Sequence, residues 1–275
     1  MLDCINLNKM NKITIIGGGN IGLSLAKGLV KSNYCKAGEI TITRRTLASL
    51  SQEKEQGYNV SDSNAEAIKE AEFIVLAILP QQIRKVMDEL APVLSSSQTV
   101  ISVVSGVTCH DIKEVLGQDK IVVRAMPNTA IAIGQSMTCI ATDSAAEGKV
   151  NEVSKIFESV GSVVVINEDL MTSATALCAC GIAFFLRSIR AASQGGVEIG
   201  FHAHDALKMA IQTAKGAADL LLQMESHPES EIDKVTSPKG CTIAGLNEME
   251  HNGFSSAFIK GIKLSAKKAG GLYND

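Results

Sequence analysis

Two stretches of this sequence combine residue types and spacings that could do chemistry. One is Val235-Thr236-Ser237-Pro238-Lys239-Gly240-Cys241-Thr242-Ile243-Ala244-Gly245-Leu246. Pro238 has no backbone donor and Gly240 tolerates positive φ, so residues 236–241 are predicted to form a tight loop. From Thr242 onward, Ile243, Leu246 and Met249 fall at helical spacing. A loop that opens a helix in this way leaves N–H groups unpaired at the helix N-terminus. The open donors and the helix dipole together favour a carboxylate there. An ordinary capped helix would have the same residues.

The other stretch is Gly17-Gly18-Gly19-Asn20-Ile21-Gly22, which directly follows the apolar run Lys12-Ile13-Thr14-Ile15-Ile16. A lone G-x-G-x-x-G is a weak signal, but between a strand and a helix it reads as a dinucleotide site. Gly17 permits the tight turn, Gly19 lets the backbone approach a pyrophosphate, and Gly22 allows close helix–strand contact. Asn20 and Ile21 open the helix on which the pyrophosphate would rest. The next strand, residues 39–43, ends in Thr43-Arg44-Arg45-Thr46, where NAD sites usually carry a carboxylate for the ribose 2′-hydroxyl. Two guanidiniums beside hydroxyls attract a 2′-phosphate instead, each charge-assisted bond being worth roughly 1.5–3 kcal/mol. The expected cofactor is NADPH, with NADH less favoured; arginines that merely solubilise the surface are the competing reading.

These residues need a scaffold, and the rest of the chain describes one. Residues 73–79 are continuously apolar and read as a buried parallel strand, and Pro80 then starts a helix. Residues 99–104, 121–125, 137–141 and 162–166 supply further strands, so the pattern predicts an α/β fold with a Rossmann-type doubly wound parallel sheet. After Asn167 the strand pattern stops. Residues 169–192, 205–223, 242–251 and 254–268 read as helices rich in Ala, Gly and Ser. The expected organisation is a nucleotide-binding domain over 1–167 and an all-α domain over 168–275 that gains its core by dimerisation.

Composition narrows the classes. A net charge of −3 without a Lys/Arg run argues against a nucleic-acid partner. The longest strongly apolar run, residues 73–79, is too short for a bilayer, and residues 1–12 lack the apolar core of a signal peptide. Seven cysteines without C-x-x-C spacing indicate neither a disulfide framework nor a zinc site. Cys178-x-Cys180 reads as small buried thiols on a helix and His202-x-His204 as a solvated turn before the next helix, so no metal is expected. The expected location is cytoplasmic.

The opening run resembles the pattern V-T-S-P-G-G-T-T-I-x-x-L of the pyrroline-5-carboxylate reductase family, departing at Lys239 and Cys241. The resemblance covers residues 13–268. Leu76-Ala77-Ile78-Leu79-Pro80-Gln81 stands where the family reads L-A-V-K-P-Q, and Arg124-Ala125-Met126-Pro127-Asn128-Thr129-Ala130 where it reads R-x-M-P-N-T-P. It implies cofactor contacts at Asn64, Ala77, Leu79, Pro80, Met126 and Asn128, although Leu79 removes a family lysine. Thr175-Ala176-Leu177-Cys178-Ala179-Cys180-Gly181-Ile182-Ala183-Phe184 departs most from the family's T-A-L-S-G-S-G-P-A-Y. The family also implies an interleaved homodimer, sometimes assembled further, and substrate positions at Ser237, Glu168 and Glu225. Each carboxylate has a competing reading as a solvated helix end.

What the resemblance implies agrees with the residues available for chemistry. Hydride attack on a ketone makes an alkoxide that a neighbouring Lys, His or Tyr must protonate. β-Hydroxyacid dehydrogenases carry such a lysine on the interdomain helix, yet no lysine lies between Lys155 and Lys208. Reduction of a protonated cyclic imine leaves a neutral amine and needs no general acid in that step. Thr242 is therefore expected to hydrogen-bond the ring nitrogen, with the amides of Gly240, Cys241 and Thr242 holding the carboxylate. Alternatives are a reductase of another cyclic imine or small keto acid, and a non-catalytic NADP-binding protein.

Overall fold

The computed structural model describes residues 12–143 and 146–271. The signal-peptide reading of residues 1–12 therefore lies almost entirely outside the described residues. The chain begins with β1 (Ile13–Ile16), α1 (Asn20–Lys31), β2 (Ile40–Thr43), α2 (Ser51–Glu55), β3 (Asn59–Ser61) and α3 (Asn64–Ala67). It continues through β4 (Phe73–Leu76), α4 (Pro80–Leu90), β5 (Thr99–Ser102), α5 (Cys109–Leu116) and β6 (Ile121–Met126). β7 (Ser136–Thr142), α6 (Glu147–Glu158) and β8 (Gly161–Val165) complete the sheet, whose order is β3-β2-β1-β4-β5-β6-β7-β8.

Successive strand residues point to opposite faces, and both faces are covered. Ile13, Ile15, Phe73 and Val75 pack with Leu25, Leu29 and Phe157 on one side. Ile16, Ile74 and Leu76 pack with Ile83, Met87 and Ile112 on the other. A parallel strand buried on two sides must be apolar at every position, hence the unbroken run 73–76.

Two expectations about the sheet are corrected. The strand predicted over residues 73–79 ends at Leu76, and Leu79 is 63% exposed. The amide of Ala77 still bonds the carbonyl of Ile16 at 2.8 Å, but Pro80 then opens α4 and carries the chain away from the sheet. The sheet is mostly rather than wholly parallel: β7 runs antiparallel to β6, and β8 parallel to β7. Only residues 127–135 join β6 to β7, and a parallel crossover takes on the order of a dozen residues or more.

The helical half begins with a 3₁₀ turn (Glu168–Leu170), α7 (Met171–Ala174), a π-helical segment (Thr175–Cys180) and α8 (Gly181–Glu198). The single helix expected over 169–192 is thus longer and interrupted. Taken together, Glu168–Glu198 is long and apolar enough to cross a membrane by length and composition, which the run-based reading of the sequence missed. α9 (Ala203–Met224), α10 (Pro228–Lys234), α11 (Cys241–His251) and α12 (Phe254–Ala269) follow. Contacts group Gly181–Leu264 into one compact unit, and the residues up to Cys180 with those from Ser265 into another. Within the Gly181–Leu264 unit, Phe258 packs on Phe184, Phe185 and Phe254 with ring centroids 5.5–6.1 Å apart.

Candidate functional site

Between the C-terminal ends of β1, β2 and β4 lies a cleft of about 850 Å³. Its floor is the glycine loop. Gly17 has φ +112°, and a Cβ there would stand 2.2 Å from the carbonyl oxygen of Ala77. A Cβ on Gly22 would stand 2.1 Å from the Gly17 carbonyl oxygen, so the start of α1 lies tight against the turn. A Cβ added at Gly19 would meet nothing within 4 Å, which leaves room for a ligand above the backbone there. Gly19 caps α1 without any side-chain bond, so the first amides of that helix remain open. The amides of Gly17 and Gly18 both bond the carbonyl of Thr43, at 3.3 and 2.9 Å, which fixes the loop to the end of β2.

One wall is polar and ordered. The Thr43 hydroxyl donates to Asn64 Oδ1 at 2.7 Å, and Asn64 Nδ2 donates to Glu89 Oε2 at 2.9 Å. Arg44 and Arg45 are both exposed and both line the cleft, and neither forms an ion pair among the described residues. Lys85 adds a third cation, while Asp62 and Glu89 supply carboxylates.

Of the cofactor positions anticipated from sequence, Gly17, Gly19, Asn20, Ile21, Thr43, Arg44, Arg45, Asn64, Ala77 and Leu79 line this cleft. Gly22, Pro80, Met126 and Asn128 do not. Gly22 lies behind the loop and Pro80 forms the first turn of α4. Met126 is buried with Cys139, Ala141, Met171 and Ala174. Asn128 caps the 3₁₀ turn Thr129–Ile133 through Ala130 N and donates to the Cys178 carbonyl at 3.3 Å. Sequence reasoning missed Ser49, Gln82, Lys85 and Glu89, which also line the cleft. Lys85 and Glu89 are four residues apart on α4, a spacing legible in sequence, but the packing that turns them inward is not.

The second group of residues opens α11. The amide of Gly240 donates to the Ser237 carbonyl at 2.9 Å, closing a turn with Pro238 and Lys239 at its corners. Two sequence expectations change here. Positive φ falls on Lys239, at +58°, while Gly240 is extended at φ −73°. Gly240 is required for space instead, because a Cβ there would lie 2.5 Å from Ser237 Oγ and 2.9 Å from its carbonyl oxygen. With its amide committed to the turn, Gly240 is also removed from the expected carboxylate donors.

The open donors are the first amides of α11, those of Cys241, Thr242 and Ile243. The helix starts one residue before the predicted Thr242, and its N-cap is Gly240, with no side-chain capping bond. Thr242 is the second helical residue and half-buried, so capping does not account for its hydroxyl. Thr236, by contrast, donates to the Ile232 carbonyl at 2.7 Å and finishes α10.

The two anticipated carboxylates differ. Glu225 ends α9 in the left-handed conformation, φ +49°, and is exposed. The solvated-end reading fails for Glu168. It accepts from Arg124 Nη1 at 3.1 Å and from the Cys109 amide at 2.7 Å, with Arg124 buried in β6. It thereby fastens the 3₁₀ turn Glu168–Leu170 to the start of α5 and to the sheet.

The strand order, glycine loop and cation-bearing cleft define a dinucleotide-binding protein of the Rossmann type. A family model described as NADP oxidoreductase coenzyme F420-dependent matches residues 12–106, and one described as pyrroline-5-carboxylate reductase dimerisation matches residues 168–272. Pyrroline-5-carboxylate reductase 2 of Dictyostelium discoideum is 45% identical over 96% of this chain and 94% of its own length. Pyrroline-5-carboxylate reductase 1 of the same organism is 48% identical over 96% of this chain, which spans about half of that relative, 50% of its length. A solved pyrroline carboxylate reductase of Plasmodium falciparum with NADP bound is 25% identical, with a TM-score of 0.88 over 95% of this chain and 98% of that one. The chain belongs to the pyrroline-5-carboxylate reductase family.

Proposed function

We propose that this chain reduces 1-pyrroline-5-carboxylate to L-proline with NADPH, the last step of proline biosynthesis. The observation that carries the reading is the 45% identity to a reductase matched over nearly its whole length. The cleft fits a dinucleotide: the tight Gly17–Ala77 approach leaves no room for a side chain, and Arg44 and Arg45 at the end of β2 have no ion-pair partner among the described residues. When bound, NADPH supplies the hydride.

The chain's own residues bind and orient. The open amides of Cys241, Thr242 and Ile243 hold the substrate carboxylate, helped by the α11 dipole. The Thr242 hydroxyl accepts the iminium N–H and fixes which face of the ring is presented. Ser237 and Gly240 shape the turn that exposes those amides. Gly17, Gly19, Asn20 and Ile21 receive the pyrophosphate, and Arg44 and Arg45 the 2′-phosphate. Glu168 anchors the 3₁₀ turn Glu168–Leu170 through Arg124, and Glu225 contributes negative charge that favours the cationic imine. No general acid is needed in the hydride step, since the product nitrogen is left neutral.

Assembly belongs to the same reading. The dimerisation model matches residues 168–272, and exposed Phe185, Leu186, Leu222, Ile259 and Leu264 give a homodimer apolar surface to bury. The working compartment is the cytoplasm. Steady NADPH oxidation with 1-pyrroline-5-carboxylate, set against a panel of β-keto acids, tests the whole assignment. Turnover of a keto acid with none of the imine would replace it with the dehydrogenase reading.

A further inference from the structure

The apolar cluster beside β7 contains two thiols that imine reduction does not use. Cys139 is buried in β7 and Cys178 is half-buried in the π-helical segment Thr175–Cys180, with their Sγ atoms 3.7 Å apart. Met126, Ala141, Met171 and Ala174 surround them. A disulfide requires about 2.05 Å, so the sulfurs must approach by roughly 1.7 Å. β7 cannot move far, since it is paired on both sides. The π segment is the more compliant partner, being an irregular turn inside an α-helix. Residue 178 is also a position where the family pattern has serine, so the pair arises from this chain's own sequence.

The two thiols are chemically unequal. The hydrogen bond shared with Cys139 brings the Cys178 thiol down to about 7, against the effect of burial. Cys139 is pushed up, first by that same bond and then by burial. Burial raises Cys35 and Cys109 to about 12, leaving them protonated and unreactive.

We propose that Cys139 and Cys178 form a redox-modification site, which hydrogen peroxide converts to a disulfide tying β7 to the π segment. In the first step the Cys178 thiolate attacks a peroxide oxygen. The S–O bond forms, the O–O bond breaks, and the departing hydroxide takes a proton to leave as water. In the second, Cys139 sulfur attacks the Cys178 sulfenic sulfur. The S–S bond forms, the S–O bond breaks, and hydroxide leaves as water with the Cys139 proton. Two thiols lose two electrons and one peroxide gains them.

The test is peroxide titration of the full chain near neutral pH, followed by alkylation and peptide mapping. The expected product has lost the mass of two hydrogens and yields one cross-linked peptide pair containing Cys139 and Cys178, released by dithiothreitol. In Cys139→Ser, Cys178 should stop at the sulfenic acid and then advance to the sulfinic acid. In Cys178→Ser, Cys139 should stay reduced at the same dose. A map of the unmodified chain joining Cys178 to Cys180 or Cys241 overturns the proposal. So does one in which Cys139 and Cys178 remain reduced after the exposed Cys241 has been oxidised.

Discussion

The Gly240 amide lies 2.9 Å from the Ser237 carbonyl, and this contact decides which groups α11 can offer to a ligand. It closes the Pro238–Lys239 turn and leaves the donors to the three residues that follow. Because an added Cβ would meet both the hydroxyl and the carbonyl of Ser237, Gly240→Ala must open the turn. The expected result is a KM for 1-pyrroline-5-carboxylate raised about tenfold, equivalent to about 1.4 kcal/mol. An unchanged KM would show that the turn does not set carboxylate binding.

Thr242 separates chemistry from folding cleanly, because Gly240 is the N-cap of α11. Thr242→Ala should lower turnover ~10- to 100-fold, matching roughly 1.5–3 kcal/mol for a bond to a charged group. The melting temperature should hold, and Thr242→Ser should restore most of the rate. Turnover undiminished in the alanine variant rules the hydroxyl out of the mechanism.

Arg44 and Arg45 should govern the choice of cofactor. The unmodified enzyme is expected to prefer NADPH, and Arg44→Asp with Arg45→Ala to erase the preference mainly through KM for NADPH. Comparing kcat/KM for NADPH and NADH in both proteins checks this, and equal efficiency before mutation refutes it.

Lys239 holds a left-handed conformation that costs a side-chain-bearing residue roughly 1–2 kcal/mol. Glycine removes that cost but adds about 0.4–1 kcal/mol of unfolded-state entropy. Lys239→Gly should therefore stabilise the protein by about 0.5–1 kcal/mol in urea unfolding. A loss of stability would mean that the lysine side chain contributes contacts that offset the strain.

Glu168→Ala strips the buried Arg124 of its carboxylate partner, and Arg124 Nε already lacks an acceptor. Fully buried pairs cost ~3–5 kcal/mol to break. With Glu168 at 22% side-chain exposure, about 2–3 kcal/mol is expected. Glu168→Gln, which keeps an acceptor for the Cys109 amide, should lose less.

The sequence by itself determined the strand–glycine loop–helix unit. Its signals are local: an apolar run, glycines at fixed spacing, and arginines at the end of the next strand. It also determined that a turn precedes α11, because Pro238 restricts the backbone wherever it occurs. α10 was legible too, with Pro228 in the first turn and Glu229 and Glu231 beside it, although the helical reading passed over it. Tertiary structure decided the rest. The reversal of β7 depends on how few residues join it to β6, and the inward aim of Lys85 and Glu89 depends on how α4 packs. The positive φ fell on Lys239 rather than Gly240 because the turn closes on Ser237. Glu168 became an anchor rather than a solvated end because folding brought Arg124, forty-four residues earlier, to 3.1 Å from it. Local residue types fix local conformation; the partner of a buried charge or thiol is fixed only by which distant segment the core brings beside it.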